Sequence, residues 1–179
     1  MKFYITRHGE TEWNAQNRIC GRTDIPLTEK GLAQAHELGR RMKNEGKIPD
    51  LMVVSPMIRA RQTAEAIREE IGEVEMIIDE RIIEQNYGIY EGMDRGTEGF
   101  LRNKSQFAVK YPGGESQIQV AARGYNLIDE LREKYPNRNI QLICHGGVCR
   151  ILSTYFTDTD NDAFWRWSAQ NCCLLEFDI

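Results

Sequence analysis

The 179-residue chain reads as an α/β protein, with a mostly parallel sheet covered by helices on both faces. Three observations predict this. Residues 3–5, 51–54 and 140–144 are short, largely apolar runs without the strict polar alternation of a half-exposed strand. Such runs suit parallel strands buried on both faces. Between them apolar residues recur at helical spacing, and the two patterns alternate along the chain.

The first strand, 3–5, gives way to a polar stretch that lasts to Leu27 and is rich in Asn, Arg, Gly and Thr. A loop that long is usually functional or disordered. Thr28 caps a helix running to about Asn44, with Glu29 in its first turn and Gly46 as its stop. Leu32, Ala35, Leu38 and Met42 form its apolar face. After the strand at 51–54, Ser55 and Pro56 are placed as N-cap and first residue of a second helix. Its buried stripe is Ala60, Ala64, Ile67 and Ile71, and Gly72 ends it. A third strand is expected at 74–78. Segment 79–115 reads as an insertion over one end of the sheet, with a helix near 99–110 and a turn at Pro112-Gly113-Gly114. Ser116 caps the next helix, buried through Val120, Leu127, Ile128 and Leu131 and ending before Pro136. The strand at 140–144 precedes a helix lined by Val148, Ile151, Leu152, Tyr155 and Phe156, and 172–177 is the last strand. No repeat or linker interrupts this order. Residues 1–179 are therefore expected to form one domain with a small cap at about 79–115.

The net charge of −4 argues against general affinity for nucleic acid or an anionic membrane. No apolar run approaches the length of a membrane span, and the N-terminus turns charged within ten residues, unlike a signal peptide. The five cysteines, at 20, 144, 149, 172 and 173, form no C-x-x-C pair. They fit reduced, buried thiols of a cytoplasmic protein better than a disulfide framework or a zinc site. Oligomeric state is left open.

In open α/β sheets, ligands bind beyond the carboxyl ends of the strands. Arg7 and His8 follow the first strand, Arg59 lies one turn into the helix after the second, Glu84 follows the third, and His145 follows the fourth. Asn14 and Arg18 in the long first loop can join them. Singly, each has an ordinary structural explanation, and His36, in mid-helix, is read as structural. Jointly they suit a phosphoryl group. Arginine forks bind phosphate oxygens bidentately and neutralise a dianion without a metal. Gly146 and Gly147 at a helix start add N–H donors. An unprotonated histidine is a competent nucleophile, and a nearby carboxyl group can protonate the leaving oxygen.

These residues sit in RHGETEWNAQNRICGRTDIPLTEKG at 7–31, SPMIRARQTAEAI at 55–67, DERIIEQNYGIYEG at 79–92, PGGES at 112–116 and CHGGVCR at 144–150. With them the chain resembles the histidine phosphatase superfamily, the phosphoglycerate mutase-like family, and within it the small bacterial-type phosphatases. The resemblance implies a three-layer α/β/α sandwich. It implies that His8 becomes phosphohistidine, that Arg7, Arg59 and His145 bind the phosphoryl group, that Asn14, Gly21 and Gly146 complete the phosphate pocket, and that Glu84 donates the proton. It implies no metal or organic cofactor, and a small phosphorylated metabolite as substrate.

The family contains both phosphatases and mutases. The mutases resemble one another in a larger insertion and in an arginine directly after the acid, where this chain has Gln85. A metal-independent phosphatase is therefore the expectation, and a 2,3-bisphosphoglycerate-dependent phosphoglycerate mutase the alternative. Arg95, Arg102 and Lys104 are candidates for a carboxylate site in that case. A non-catalytic phosphate-binding module is a third reading, opposed by the presence of every residue the chemistry needs. The insertion, with Trp13, Arg18 and Arg22, is expected to set specificity.

Overall fold

The computed structural model describes residues 1–179. Its strands are β1 (Lys2–Arg7), β2 (Leu51–Val54), β3 (Glu75–Ile78), β4 (Ile140–Cys144) and β5 (Leu175–Asp178). They form one sheet in the order β3-β2-β4-β1-β5. The pairs β3–β2, β2–β4 and β4–β1 are parallel, and only β5 runs antiparallel, against β1. The helices are α1 (Glu12–Ala15), α2 (Glu29–Asn44), α3 (Ile58–Ile71), α4 (Glu98–Lys104), α5 (Gln117–Lys134), α6 (Gly146–Ser153) and α7 (Asn161–Arg166).

Strand periodicity divides the core in two. Phe3, Ile5, Leu51, Val53, Ile140 and Leu142 meet Val120, Leu127, Ile128 and Leu131 of α5 and Val148 and Leu152 of α6. Met52, Val54 and Ile143 point the other way, onto Ala35, Leu38 and Met42 of α2 and Ala60, Ala64 and Ile67 of α3. The result is the expected three-layer α/β/α sandwich. Thr28 and Ser116 cap α2 and α5 as expected, each accepting a backbone N–H from the third helical residue.

Other elements differ from the sequence expectation for local reasons. Helix α3 begins at Ile58 behind Met57, not at Pro56, because Met57 is extended (ψ 138°) and Asp24 Oδ1 takes the Ile58 N–H at 2.8 Å. Leu32 is exposed, since the buried stripe of α2 runs through Gly31, Ala35, Leu38, Gly39 and Met42. Helix α4 stops at Lys104, where the Ser105 hydroxyl donates to Arg102 O. Helix α6 stops at Ser153, and Thr154 donates its hydroxyl to Ile151 O. Tyr155 and Phe156 lie beyond its end but still pack on the core, Phe156 stacking on Phe177. The last strand starts at Leu175, because Cys172 takes a positive φ that breaks the extended run. The short helices α1 and α7 carry too few apolar residues to show a period.

The segment 79–115 closes over the carboxyl edge of the sheet. Tyr87, Phe100 and Tyr111 cluster with Ile19 from the first loop, and Ile19 exchanges backbone hydrogen bonds with Met93 and Gly92. The two longest irregular stretches thus order each other.

Candidate active site

Arg7 and Cys144 are register partners at the carboxyl ends of β1 and β4, so the next residues, His8 and His145, emerge side by side. Their ring centroids are 5.2 Å apart. Hydrogen bonding sets both tautomers. His8 Nδ1 lies 2.6 Å from Gly9 O, which can only accept, so Nδ1 carries the proton and Nε2 the lone pair. The Nε–H of Arg59 lies 3.2 Å from His8 Nε2 and also 3.2 Å from His145 Nδ1. His145 therefore carries its proton on Nε2 and donates it to Ser55 Oγ at 2.7 Å. Burial, followed by the Arg59 charge, pushes both histidines well below their ordinary pKa, so both are neutral near pH 7.

Arg59 is fully buried between these rings. Its other nitrogens donate to Thr23 O at 2.9 Å and Gly21 O at 2.7 Å. Glu91 holds that loop in turn, accepting from Gly21 N, Arg22 N and the Thr23 hydroxyl. Only glycine fits at 21, since a Cβ there would stand 2.1 Å from Glu91 Oε1 and 2.5 Å from Gln85 O. Thr63 ties the layer to β1, accepting from Gly9 N and donating to Arg59 O.

In front of His8 lies a small cavity of about 120 Å³, whose walls include Arg7, Asn14, Glu84 and Gly146. Arg7 donates to Ala169 O at 2.6 Å and leaves its buried Nε without a partner. The Arg7 guanidinium runs beside Gly146, where a Cβ would meet Arg7 Nε at an ordinary 3.4 Å. Asn14 belongs to the capping box of α1, and its Oδ1 also accepts from Asn171. Glu84 is buried, with Oε1 accepting Gln85 N–H at 2.9 Å and Oε2 accepting Gly147 N–H at 3.1 Å.

The structure therefore gathers His8, Arg7, Asn14, Glu84 and Gly146 around one cavity. It sets Arg59, His145 and Gly21 behind His8, outside the cavity lining. Arg18 lies over the Trp13 ring and donates to Gly92 O, and Arg22 pairs with Glu115; none of the three lines the cavity. Arg95 and Lys104 do reach it, whereas Arg102 is exposed at the surface. His36 sits apart, paired with Glu70. Sequence reasoning missed Tyr87, Tyr111 and Arg150 in the walls, and Ser55, Thr63, Glu91 and Asn171 behind them. Arg150 stood in the quoted CHGGVCR motif, one turn after Gly146, which was signal enough. No group of three or more His, Cys, Asp or Glu residues has metal-holding geometry, and no helix is long and apolar enough to cross a membrane.

The profile of the histidine phosphatase superfamily, branch 1, matches residues 3–179. A probable phosphoglycerate mutase GpmB of Yersinia pestis (strain Pestoides F) is 31% identical over 99% of this chain and 85% of its own. Among solved structures, mycobacterial glucosyl-3-phosphoglycerate phosphatase in complex with VO3 superposes with TM-score 0.85 at 28% identity, covering 98% of this chain and 91% of that one. Bacillus stearothermophilus YhfR does so with TM-score 0.85 at 28% identity, covering 99% and 91%. The match along nearly the whole length, with the two histidines, Arg59 and Glu84 at one sheet edge, places the chain in the histidine phosphatase superfamily, to which it belongs.

Proposed function

We propose that the protein is a phosphoric monoester hydrolase that works without a metal ion, through a phosphohistidine on His8. The observation that carries this reading is the fixed tautomer of His8. Its Nδ1–H is committed to Gly9 O, which leaves Nε2 unprotonated beside a cavity that also holds the Arg7 guanidinium and the Glu84 carboxyl group. The substrate phosphoryl group docks on Arg7 and Asn14, with the N–H groups at the start of α6 nearby. His8 Nε2 releases the Arg59 N–H, which stays bonded to His145 Nδ1, and attacks phosphorus in line with the ester oxygen. The P–N bond forms as the P–O bond breaks, and the leaving oxygen takes a proton from Glu84. Water then attacks the phosphohistidine, Glu84 accepts its proton, the P–N bond breaks and phosphate leaves. Arg59 acts from behind His8, orienting its ring and supplying positive charge as the bond forms, while neutral His145 shares the Arg59 N–H and holds the guanidinium in place.

The phosphatase title of the mycobacterial neighbour supports hydrolysis, and its VO3 complex supports inhibition here by the same phosphate mimic. Five unpaired thiols support a reducing, cytoplasmic setting. Contributions from β1, α3, β4 and segment 79–115 support reading 1–179 as one catalytic domain with a small cap. The mutase reading is favoured by one observation, the presence of Arg95 and Lys104 in the cavity wall, and by the name of the Yersinia relative. Against it, Gln85 is buried and donates to Glu115 O outside the cavity lining. A panel of small phosphate esters, assayed in parallel for phosphate release and for phosphoryl migration, decides between them. We expect phosphate release that survives EDTA, yields to vanadate and proceeds through an acid-labile phosphoenzyme lost in His8→Ala. Turnover retained by His8→Ala overturns the reading.

A further inference from the structure

Strand β5 runs antiparallel to β1, with Leu175 opposite Ile5, so the residues just before β5 lie against Arg7 and His8 at the carboxyl end of β1. Three bonds fasten this strap there. Ala169 O accepts from Arg7 Nη1 at 2.6 Å, Cys172 N–H donates to Arg7 O at 2.9 Å, and Asn171 Nδ2 donates to His8 O at 2.8 Å. Cys172 holds a φ of 53°, a left-handed conformation that a non-glycine residue keeps only where its surroundings impose it.

Asn171 also reaches a second partner. Its Nδ2 lies 3.3 Å from Asn14 Oδ1, so the two hydrogens of one amide nitrogen serve His8 O and Asn14 Oδ1. Partners decide which way an amide faces. His8 O can only accept, so Asn171 presents nitrogen, and Asn14 must answer with oxygen. The Thr11 N–H, 3.2 Å from the same Oδ1, makes the same demand. With its oxygen taken twice, Asn14 keeps Nδ2 without a partner in the protein, in a residue that lines the cavity. Turned over, Asn14 would set donors against donors and aim an acceptor at a dianion. Thr11 lies in the same capping box and moves with Asn14. Asn171 comes from the far end of the chain and ties that turn to the backbone of the nucleophile.

We infer that Asn171 is a positioning residue of the phosphoryl site: it turns the Asn14 amide so that its NH2 faces the phosphoryl oxygens, and it fixes Asn14 to the backbone of His8. The inference rests on the proposed phosphoryl site, but not on the reaction that follows there.

A nitrogen–proton NMR titration of the full chain with orthophosphate reads both the dissociation constant and the side-chain amides. Asn14→Ala identifies the Asn14 NH2 signals by their loss. We expect phosphate to shift those signals in the parent protein. Asn171→Ala should abolish that shift and weaken phosphate about tenfold, the size of one hydrogen bond to a charged group. In an Asn14→Ala background the same substitution should weaken phosphate little further, since its partner is already gone. Asn171→Asp is nearly isosteric and stays readable where Asn171→Ala fails to fold. Its carboxylate takes an N–H from Asn14 and turns the amide over, so the shift at saturating phosphate should vanish there too. A residue that merely anchored the strap would weaken phosphate equally in both backgrounds and leave the amide shift in place. Additive losses, or an Asn14 shift that survives in the Asn171 variants, therefore overturn the inference and leave the phosphoryl site standing. A parent protein whose cavity amides do not respond to phosphate at all removes that site, and the inference with it.

Discussion

Ser55 Oγ lies 2.7 Å from Nε2 of His145. Ser55 is the first residue after β2 and His145 the first after β4, two parallel neighbours, so the sheet register itself brings them together. Because Arg59 donates to Nδ1 of His145, the proton must sit on Nε2, and Ser55 is what receives it. Ser55→Ala leaves a buried N–H without a partner. Such an orphan costs about 1–3 kcal/mol, and a loss of that size in chemical denaturation is expected. The imidazole ring also loses the acceptor that, together with the Arg59 N–H on Nδ1, keeps its proton on Nε2. Nitrogen NMR of the histidine rings should show His145 shifting toward mixed tautomers, with turnover falling. An unchanged His145 spectrum would show that Arg59 alone sets the tautomer.

Both buried histidines make stability depend on pH in a defined direction. Their ordinary pKa is 6.5, and in the folded chain both are held well below it. Below 6.5 the unfolded chain takes up protons that the folded chain refuses. Stability is therefore full above 6.5 and falls as pH drops toward the folded values, with a limiting slope of about 1.4 kcal/mol per pH unit for each histidine. Urea titrations from about pH 8 to about pH 5 test this above the range where most carboxylates protonate. Asparagine at position 8 should remove one histidine's share of the slope. A flat profile in the parent protein would mean that the folded rings take up protons as readily as the unfolded ones.

The fold and the polar set were legible because they depend on patterns that short windows preserve. Apolar runs mark β1, β2 and β4, and residues just past strand ends mark His8 and His145. What could not be read was which residues touch the cavity and which stand behind it. Arg59 looks from sequence like a phosphate ligand, yet its guanidinium is consumed by two histidines and two carbonyls. Ser55 looks like a helix cap, a role its hydroxyl is well suited to; it does accept Met57 N–H at 3.4 Å, but the helix starts only at Ile58 and the shorter bond is to His145 across the sheet. Glu91 is one acid among many until residues 21–23 fold onto it. These assignments depend on contacts between segments far apart in the chain, and no local pattern encodes them.

Glu84→Gln is nearly isosteric, and its amide oxygen can keep one of the two backbone N–H groups that the carboxylate now accepts. The other N–H then faces the amide NH2 at a cost of about 1–3 kcal/mol in stability, so the chemical effect is read from the ratio between substrate classes. Alkyl phosphates, whose leaving oxygens need a proton, should lose about a hundredfold or more in kcat, the usual share of a general acid. Activated aryl phosphates should lose far less. Equal losses on both classes would remove Glu84 from the role of leaving-group acid.

Gly147→Ala tests the same role without touching the carboxyl group. Gly147 is the second residue of α6 and has an ordinary helical place, where alanine is favoured over glycine by about 1 kcal/mol. The backbone therefore does not oppose the change. The space does: a Cβ there would stand 2.7 Å from Glu84 Oε1 and 2.7 Å from the Tyr87 hydroxyl. Both obstacles are side-chain tips, so the fold can yield and the carboxylate retreats from its place over the cavity. The contrast is Gly9, where a Cβ would meet the Gly31 carbonyl oxygen at 2.3 Å, a backbone atom that cannot step aside. Gly9→Ala should depress the melting temperature strongly. Gly147→Ala should leave it within a few degrees while reproducing the leaving-group selectivity of Glu84→Gln. If Gly147→Ala instead slows alkyl and aryl esters alike, the displaced group matters for binding the phosphoryl oxygens rather than for protonating the leaving one.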